Sequence, residues 1–408
     1  MTTTITIERL GHQGDGIADG PIYAPLTLPG EVVTGVLDGQ NLNNVKIVTP
    51  SPDRVKPACR HFPACGGCQL QHAADGFLKD WKTEVVRQAL QARDLTTEFL
   101  PTHCSPSRSR RRAVVSAKRT KKGAMVGFHA RASDVVIETP DCQLLHPDLM
   151  RALPAAADLA LVGASRKHAL SVMLTLTDGG VDACVLNGKP LENNMYMELA
   201  AIADRHDLAR LSWAEEPVAT RRAPQQHFGA AQVTLPSGAF LQATLDGQKV
   251  LQSDVRQSVS GAKHVLDLFA GCGTFALDLA SEHEVHAVEG DSAMVAALDH
   301  GWRMANGLRA VTSEVRDLFR RPMTPDELQR YDAIVLDPPR AGAEAQIEQI
   351  CTAKVPLIAY VSCNPISFAR DAAKLAEAGY ALEHLRVVDQ FKWSSHVEIV
   401  SKFLLKSL

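Results

Sequence analysis

The chain has 408 residues, 45% hydrophobic and 22% charged, with a net charge of −3. That balance excludes a disordered chain and a uniformly basic one, and leaves room for local basic patches. At about 100–200 residues per domain, the length implies two or three domains.

The N-terminus, MTTTITIERLGHQGDG, lacks the charged and apolar regions of a secretory signal. No apolar run approaches the roughly 18 residues that cross a membrane, so a cytoplasmic location is expected. Nine cysteines without a secretion signal read as thiols or metal ligands, not as a disulfide framework.

Residues 1 to about 52 alternate β-like runs (TITIERL, GEVVTGVL, NNVKIVTP) with turn residues, which predicts a small β-barrel. Next comes CRHFPACGGCQLQH, with Cys59, Cys65 and Cys68 at C-x5-C-x2-C spacing. Three cysteines this close in a Gly-containing loop indicate a metal site that needs a fourth ligand, and Cys104 is a candidate by position. Four thiolates suit zinc or an iron–sulfur cluster, and the spacing leaves both open. The apolar spacing of FLKDWKTEVVRQALQAR predicts an amphipathic helix.

Residues 105–245 mix strand-like segments with the Ala-rich DLMRALPAAADLALVG, which predicts an α+β region. Within it, SRSRRRAVVSAKRTKK places eight Lys or Arg among residues 108–122. Alternation along strands would line these cations on one face, where they would neutralise the phosphates of a nucleic acid. Residues 1–50, by contrast, carry five acidic and two basic side chains, a poor basis for gripping a polyanion by charge.

From about residue 262 the apolar segments HVLDLFA, EVHAVEG, DAIVLDPP and LIAYVSCNP alternate with helical stretches, the pattern of a doubly wound parallel sheet. In DLFAGCGTFALDLA, the Gly271-x-Gly273 turn lets the backbone approach a ligand at the mouth of the sheet. Glu289, 22 residues after Asp267, suits the hydroxyls of a ribose. Gly271, Gly273 and Ala276 also fit G-x-G-x-x-A, so the loop indicates an adenosine-like cofactor without choosing a dinucleotide or another. LDPPRAG presents Asp337 on a loop stiffened by two prolines, as an enzyme placing a flat base against a methyl donor requires. LIAYVSCNP ends the next strand at Cys363, where a free cysteine is commonly no more than a small buried hydrophobe.

Taken together and in order, DLFAGCGTF, VLDPPRAG, YVSCNP and HVE (396–398) resemble the S-adenosylmethionine-dependent RNA uracil-5 methyltransferases. FLQAT (240–244), the cysteine cluster and an N-terminal segment similar to the small TRAM barrel extend the resemblance over most of the chain. It implies an α/β protein in three parts: a TRAM-like β-barrel (1–55), a central α+β domain with the cysteine cluster (56–240), and a Rossmann-like class I methyltransferase domain (241–408). Uracil carbon 5 is a poor nucleophile until a thiolate adds at carbon 6 and leaves carbanion character at carbon 5, which is covalent catalysis. The resemblance makes Cys363 that nucleophile and Glu398 the base that removes the carbon 5 proton. Cys363 is expected in surroundings that favour its thiolate.

Family contacts to S-adenosylmethionine carry over to Gln242, Phe269, Glu289, Asp317 and Asp337, beside Gly271 and Gly273. Thr274 stands where the family often has asparagine and is retained as a donor contact. Thr244 replaces the asparagine of FxQxN, and DQFKWSSHVE lacks the FP that several members carry. Cys142, in ETPDCQLLHP, is the family-matched fourth cluster ligand, and the resemblance favours a 4Fe–4S cluster with a structural or RNA-shaping part over structural zinc. The implied partner is RNA, 23S ribosomal in preference to transfer RNA, bound by a monomer with the target uridine unstacked. Cytosine-5 methylation and an inactive RNA-binding iron–sulfur scaffold are the alternatives.

Overall fold

The computed structural model describes residues 2–214 and 216–406. Five parallel strands, Val311–Val315, Glu284–Glu289, His264–Leu268, Ala333–Leu336 and Leu357–Ser362, lie side by side in that order. Glu398–Leu405 then enters antiparallel between Leu357–Ser362 and Tyr380–Asp389. Glu98–Cys104 completes the sheet, parallel to Tyr380–Asp389.

The central strands Ala333–Leu336 and Leu357–Ser362 are apolar on both faces, as a sheet covered on both sides requires. Because side chains alternate, Val265, Val335, Ala359 and Val361 enter one core, while Leu266, Ile334, Ile358 and Tyr360 enter the other. The first core is closed by Leu251 and Val255 of the helix Leu245–Ser258 and by Phe228 and Val233 of the hairpin Gln225–Phe228 / Ala231–Thr234. The second is closed by Val86 and Leu90 of the helix Asp75–Gln91 and by Phe368 and Leu375 of the helix Pro365–Glu377.

Chain order and sheet membership therefore diverge. Glu98–Cys104 lies in the segment grouped by sequence with the central region, yet it hydrogen-bonds along Tyr380–Asp389, and Thr97 Oγ1 donates to Leu382 O at 3.0 Å. The helix Asp75–Gln91 matches the amphipathic stretch read from FLKDWKTEVVRQALQAR, but its buried stripe of Leu78, Val86 and Leu90 also contains Lys82, which is fully buried. Lys82 Nζ donates to Asp389 Oδ1 at 2.6 Å and to Phe391 O at 3.1 Å. A charge removed from water is tolerated only when paired in this way. Trp393 O accepts the Gln69 and Leu70 N–H groups at 2.9 and 3.0 Å. The helix and the cysteine-bearing segment thus hold the loop 390–397 that leads into Glu398.

The six strands between Thr2 and Thr49 form a curled sheet around Ile7, Ala24, Val33 and Leu42. The seven strands between Arg112 and Thr220 form a second sheet, with the helices Pro147–Gly163 and Met195–Arg205 packed on it. Among the described residues no helix is long and apolar enough to cross a membrane.

Candidate active site

The parallel strands all end at one edge of the sheet, where such folds place their ligands. After Leu268 the chain turns at Phe269, which takes a left-handed φ of 64° while its N–H donates to Val288 O at 2.9 Å. Gly271, at φ 55°, donates its N–H to Glu289 Oε2 at 3.0 Å, and the Asp291 N–H holds Glu289 Oε1 at 2.9 Å. The Glu289 carboxylate is thereby fixed at the mouth of the turn. Gly273 has another use. A Cβ at this position would stand 2.8 Å from Leu277 and 3.0 Å from Leu298, so the glycine allows the turn to pack on its helices.

A cavity of ≈ 800 Å³ opens over these strand ends. Gln242, Phe269, Gly271, Thr274, Glu289, Asp317, Asp337, Cys363 and Glu398 all line it, and Gly273 does not. Residues the sequence did not single out line it as well. Phe319 sets its ring 5.5 Å from that of Phe269, and Arg340, Phe391 and His396 face the same space. Asp317 Oδ1 accepts the Phe319 N–H at 3.0 Å, a local turn that holds the two residues side by side.

Cys363 and Glu398 come together through strand register. Ser362 pairs with Ile399 across the antiparallel ladder, so Cys363 and Glu398 are the next positions on neighbouring strands at the same sheet end. Glu398 is 4% exposed. Burial, then the nearby Asp337, hold its carboxyl well above the ordinary range, against a hydrogen bond from Gln390 that lowers it. Burial likewise raises Asp337 to about 7. Gln242 Nε2 donates to Asp337 Oδ2 at 3.3 Å, so the two residues expected at the donor side meet each other.

The expectation that Cys363 sits where its thiolate is favoured does not hold. Burial, followed by Glu398 and Asp337, pushes the thiol up to about 12, with Arg340 opposing. A half-buried thiol between carboxylates stays protonated until something positive enters or the carboxylates are neutralised.

The basic run is also divided. Arg111 is 4% exposed and turned inward, where Nε donates to Gln242 O at 3.0 Å and Nη2 to Gln248 Oε1 at 2.6 Å. It braces the Gln242 backbone and is not available to a phosphate. Its neighbours Arg110 and Arg112 are half-buried. Arg110 lies 5.7 Å over the Phe391 ring and lines the large cavity, and Arg112 lies 4.8 Å over Phe240, itself a lining residue.

Cys59, Cys65, Cys68 and Cys142 line a separate cavity of ≈ 280 Å³, whereas Cys104 lies at the end of its strand beside Asp389. Cys59, Cys65, Cys68 and Cys142 are free thiols. Among the described residues, no three His, Cys, Asp or Glu form a group that could hold a metal ion. The four thiols surround a space without converging on a point. They are walled by Phe62, Phe128 and Leu144, and Arg131 Nη2 donates to Cys68 O at 2.6 Å.

The family model for tRNA (uracil-5-)-methyltransferases matches residues 234–407. Over 403 residues the chain is 41% identical to an RNA methyltransferase of Brucella suis, covering 98% of this chain and 97% of that one. It is 31% identical over 428 residues to the 23S rRNA (uracil(1939)-C(5))-methyltransferase RlmD of Halomonas elongata, covering 97% of this chain and 88% of that one. Among solved structures, the tRNA (uracil-54, C5)-methyltransferase of Pyrococcus abyssi in complex with S-adenosyl-L-homocysteine superposes with a TM-score of 0.79 over 98% of this chain and 99% of that one. At 22% identity that likeness is one of fold.

Proposed function

The chain belongs to the S-adenosylmethionine-dependent RNA uracil-5 methyltransferases, and from that premise we propose that it methylates one uridine of 23S ribosomal RNA through a covalent adduct on Cys363. The observation that carries the mechanism is the pairing of Cys363 with Glu398 at one sheet end, in a cavity shared with the Gly271 turn. The ribosomal target rests on the near full-length relationship to RlmD.

Gln242, Phe269, Gly271, Thr274, Glu289, Asp317 and Asp337 would hold S-adenosylmethionine and present the base. When bound, the donor supplies the methyl group, and with it a positive sulfonium in a site whose carboxylates otherwise oppose a thiolate. With its thiol proton passed to solvent, Cys363 sulfur forms a bond to carbon 6 of the flipped uracil, and the C5=C6 electron pair moves to carbon 5 as an enolate. After methylation, Glu398 takes the carbon 5 proton. The C5–H electron pair re-forms the C5=C6 double bond as the C6–S bond breaks, which returns Cys363 and leaves 5-methyluridine.

In this reading residues 1–55 are a TRAM-like module, 56–240 carry the outward cations and the cysteine cavity, and 241–408 carry methyl transfer. A 4Fe–4S cluster held by Cys59, Cys65, Cys68 and Cys142 is supported by four thiols that stand around one cavity, where a single zinc ion would draw four ligands to one point. Methyl transfer by this route moves no electron, so the cluster's part is to shape the protein and its RNA surface. Protein purified without oxygen should contain about four iron and four sulfide per chain. Stoichiometric zinc without iron would overturn the assignment.

The target is tested by mapping 5-methyluridine in ribosomal and transfer RNA from cells with and without this protein. Loss of one 23S position, restored by the wild-type chain, is expected. Loss confined to transfer RNA would overturn the ribosomal target and leave the chemistry standing.

A further inference from the structure

Gln390 lies in DQFKWSSHVE, the segment that departs from the family by lacking FP. In the fold it is 1% exposed and joins residues that are far apart in the chain. Its Oε1 accepts the Ala243 N–H at 2.8 Å, and its Nε2 donates to Gln242 Oε1 at 2.5 Å and to Glu398 Oε2 at 3.0 Å. Gln242 Nε2 in turn donates to Asp337 Oδ2 at 3.3 Å.

The direction of this chain is fixed by elimination. The Ala243 N–H needs an acceptor, so the Gln390 oxygen must face it and the Gln390 amide nitrogen must face Glu398 and Gln242. The Gln242 oxygen then faces that nitrogen, which leaves the Gln242 nitrogen for Asp337. The Ala243 backbone is itself held, since Arg111 N–H donates to Ala243 O at 3.0 Å and Arg111 Nε to Gln242 O. No rotation of either amide preserves all of these bonds.

Resting on the reading of Glu398 as the base, we propose that Gln390 is a positioning residue for the elimination step: its amide commits Glu398 Oε2 to a protein donor, so that Oε1 is the oxygen offered to the carbon 5 proton. Oε1 accepts from no other described residue, and Glu398 lines the cavity that Cys363 lines. An oxygen that already accepts from Gln390 is the poorer site for an incoming proton, and Oε1 is the better one. By donating to the carboxylate, Gln390 also favours its ionised form in a place where burial and Asp337 disfavour it. The other charged or titratable groups that line the same cavity are Cys272, Cys363, His396, Arg340, Arg110, Glu289, Arg316 and Asp317.

The test uses full-length protein and total RNA, tritiated at uridine carbon 5, from cells lacking the protein, so that the natural substrate is present whichever RNA it is. Tritium release reports elimination, and a protein–RNA band on a denaturing gel reports the adduct. Wild type should release tritium with little adduct. Gln390→Met should accumulate adduct and release tritium about tenfold or more slowly, in the lower part of the range for a disturbed acid–base group, and its rate should rise at higher pH than in wild type. The shift is upward because a donor to the ionised carboxylate has been removed, an effect that a purely structural contact would not produce.

Gln390→Met with wild-type release and wild-type pH dependence, beside a Glu398→Gln that traps adduct, overturns the role of Gln390 and leaves the base assignment intact. Tritium release at the wild-type rate by Glu398→Gln overturns the base assignment itself. If Gln390→Met fails to bind S-adenosylmethionine as wild type does, Gln390→Asn, which keeps an amide on a shorter arm, takes its place. Adduct with retained tritium is again the expected result, and wild-type release again the contrary one.

Discussion

Cys363→Ala should bind S-adenosylmethionine as wild type does and lose methyl transfer by at least about 10⁴-fold, within the scale of losses seen when a covalent nucleophile is deleted. Nothing else in the cavity can take its place. Cys272 also lines it, but it lies in the glycine turn and is 2% exposed, whereas Cys363 is only half-buried. Donor binding should survive because Phe269, Gly271 and Glu289 are held by backbone contacts of their own and do not depend on Cys363. The measurement is a pair: donor affinity and methyl incorporation into RNA. Residual incorporation within tenfold of wild type would show that carbon 5 is activated in some other way.

Glu398→Gln should slow turnover by about 10²–10⁴-fold, the usual worth of a positioned base, and should do so with the adduct accumulating. Glutamine keeps the shape and can still accept from Gln390, but it cannot take a proton. In wild type the sign of the pH effect follows from the direction of the shifts. Glu398 is held well above the ordinary carboxylate range and Asp337 at about 7, so lowering the pH protonates both and disables the base. The Cys363 thiol, pushed up to about 12, moves the same way. Turnover should therefore climb across the neutral range, from about pH 6 to about pH 8, with a limb set by carboxylates in spite of their usual acidity. A flat profile in wild type, or Glu398→Gln turning over without trapped RNA, contradicts the assignment.

The donor half of the site was legible because its signals are local. The Gly271 turn, Asp337 and Cys363 each follow directly on a buried strand, and the alternation of strands and helices tells which ends share an edge. Glu398 was legible only by resemblance, and the register of Glu398–Leu405 against Leu357–Ser362 supplies its physical reason. Gln390 was not legible. Its partners Gln242 and Ala243 are 148 and 147 residues away, and no periodicity marks a glutamine that is buried for its hydrogen bonds.

The same limit applies to Arg111, which sits in a basic run and looks like its neighbours until the fold turns it inward. It applies also to Glu98–Cys104, whose partner strand begins at Tyr380. Pattern reading gave the thiolate expectation the wrong sign for a related reason. Sequence shows that a nucleophile is present, but the charges that meet it, Glu398 and Asp337, arrive from other strands.

The central claim is that Cys363 bonds to the RNA base, and one experiment reads this directly. RNA carrying 5-fluorouridine, incubated with the protein and S-adenosylmethionine, offers a carbon 5 from which no proton can be removed after methylation, so the C6–S bond cannot be released. A stable protein–RNA adduct should form with wild type, be absent with Cys363→Ala, and map by mass spectrometry of the digested complex to the peptide containing Cys363. Methylation of ordinary RNA by a wild-type protein that never traps the fluorinated RNA, or an adduct mapped to another residue, would contradict the account.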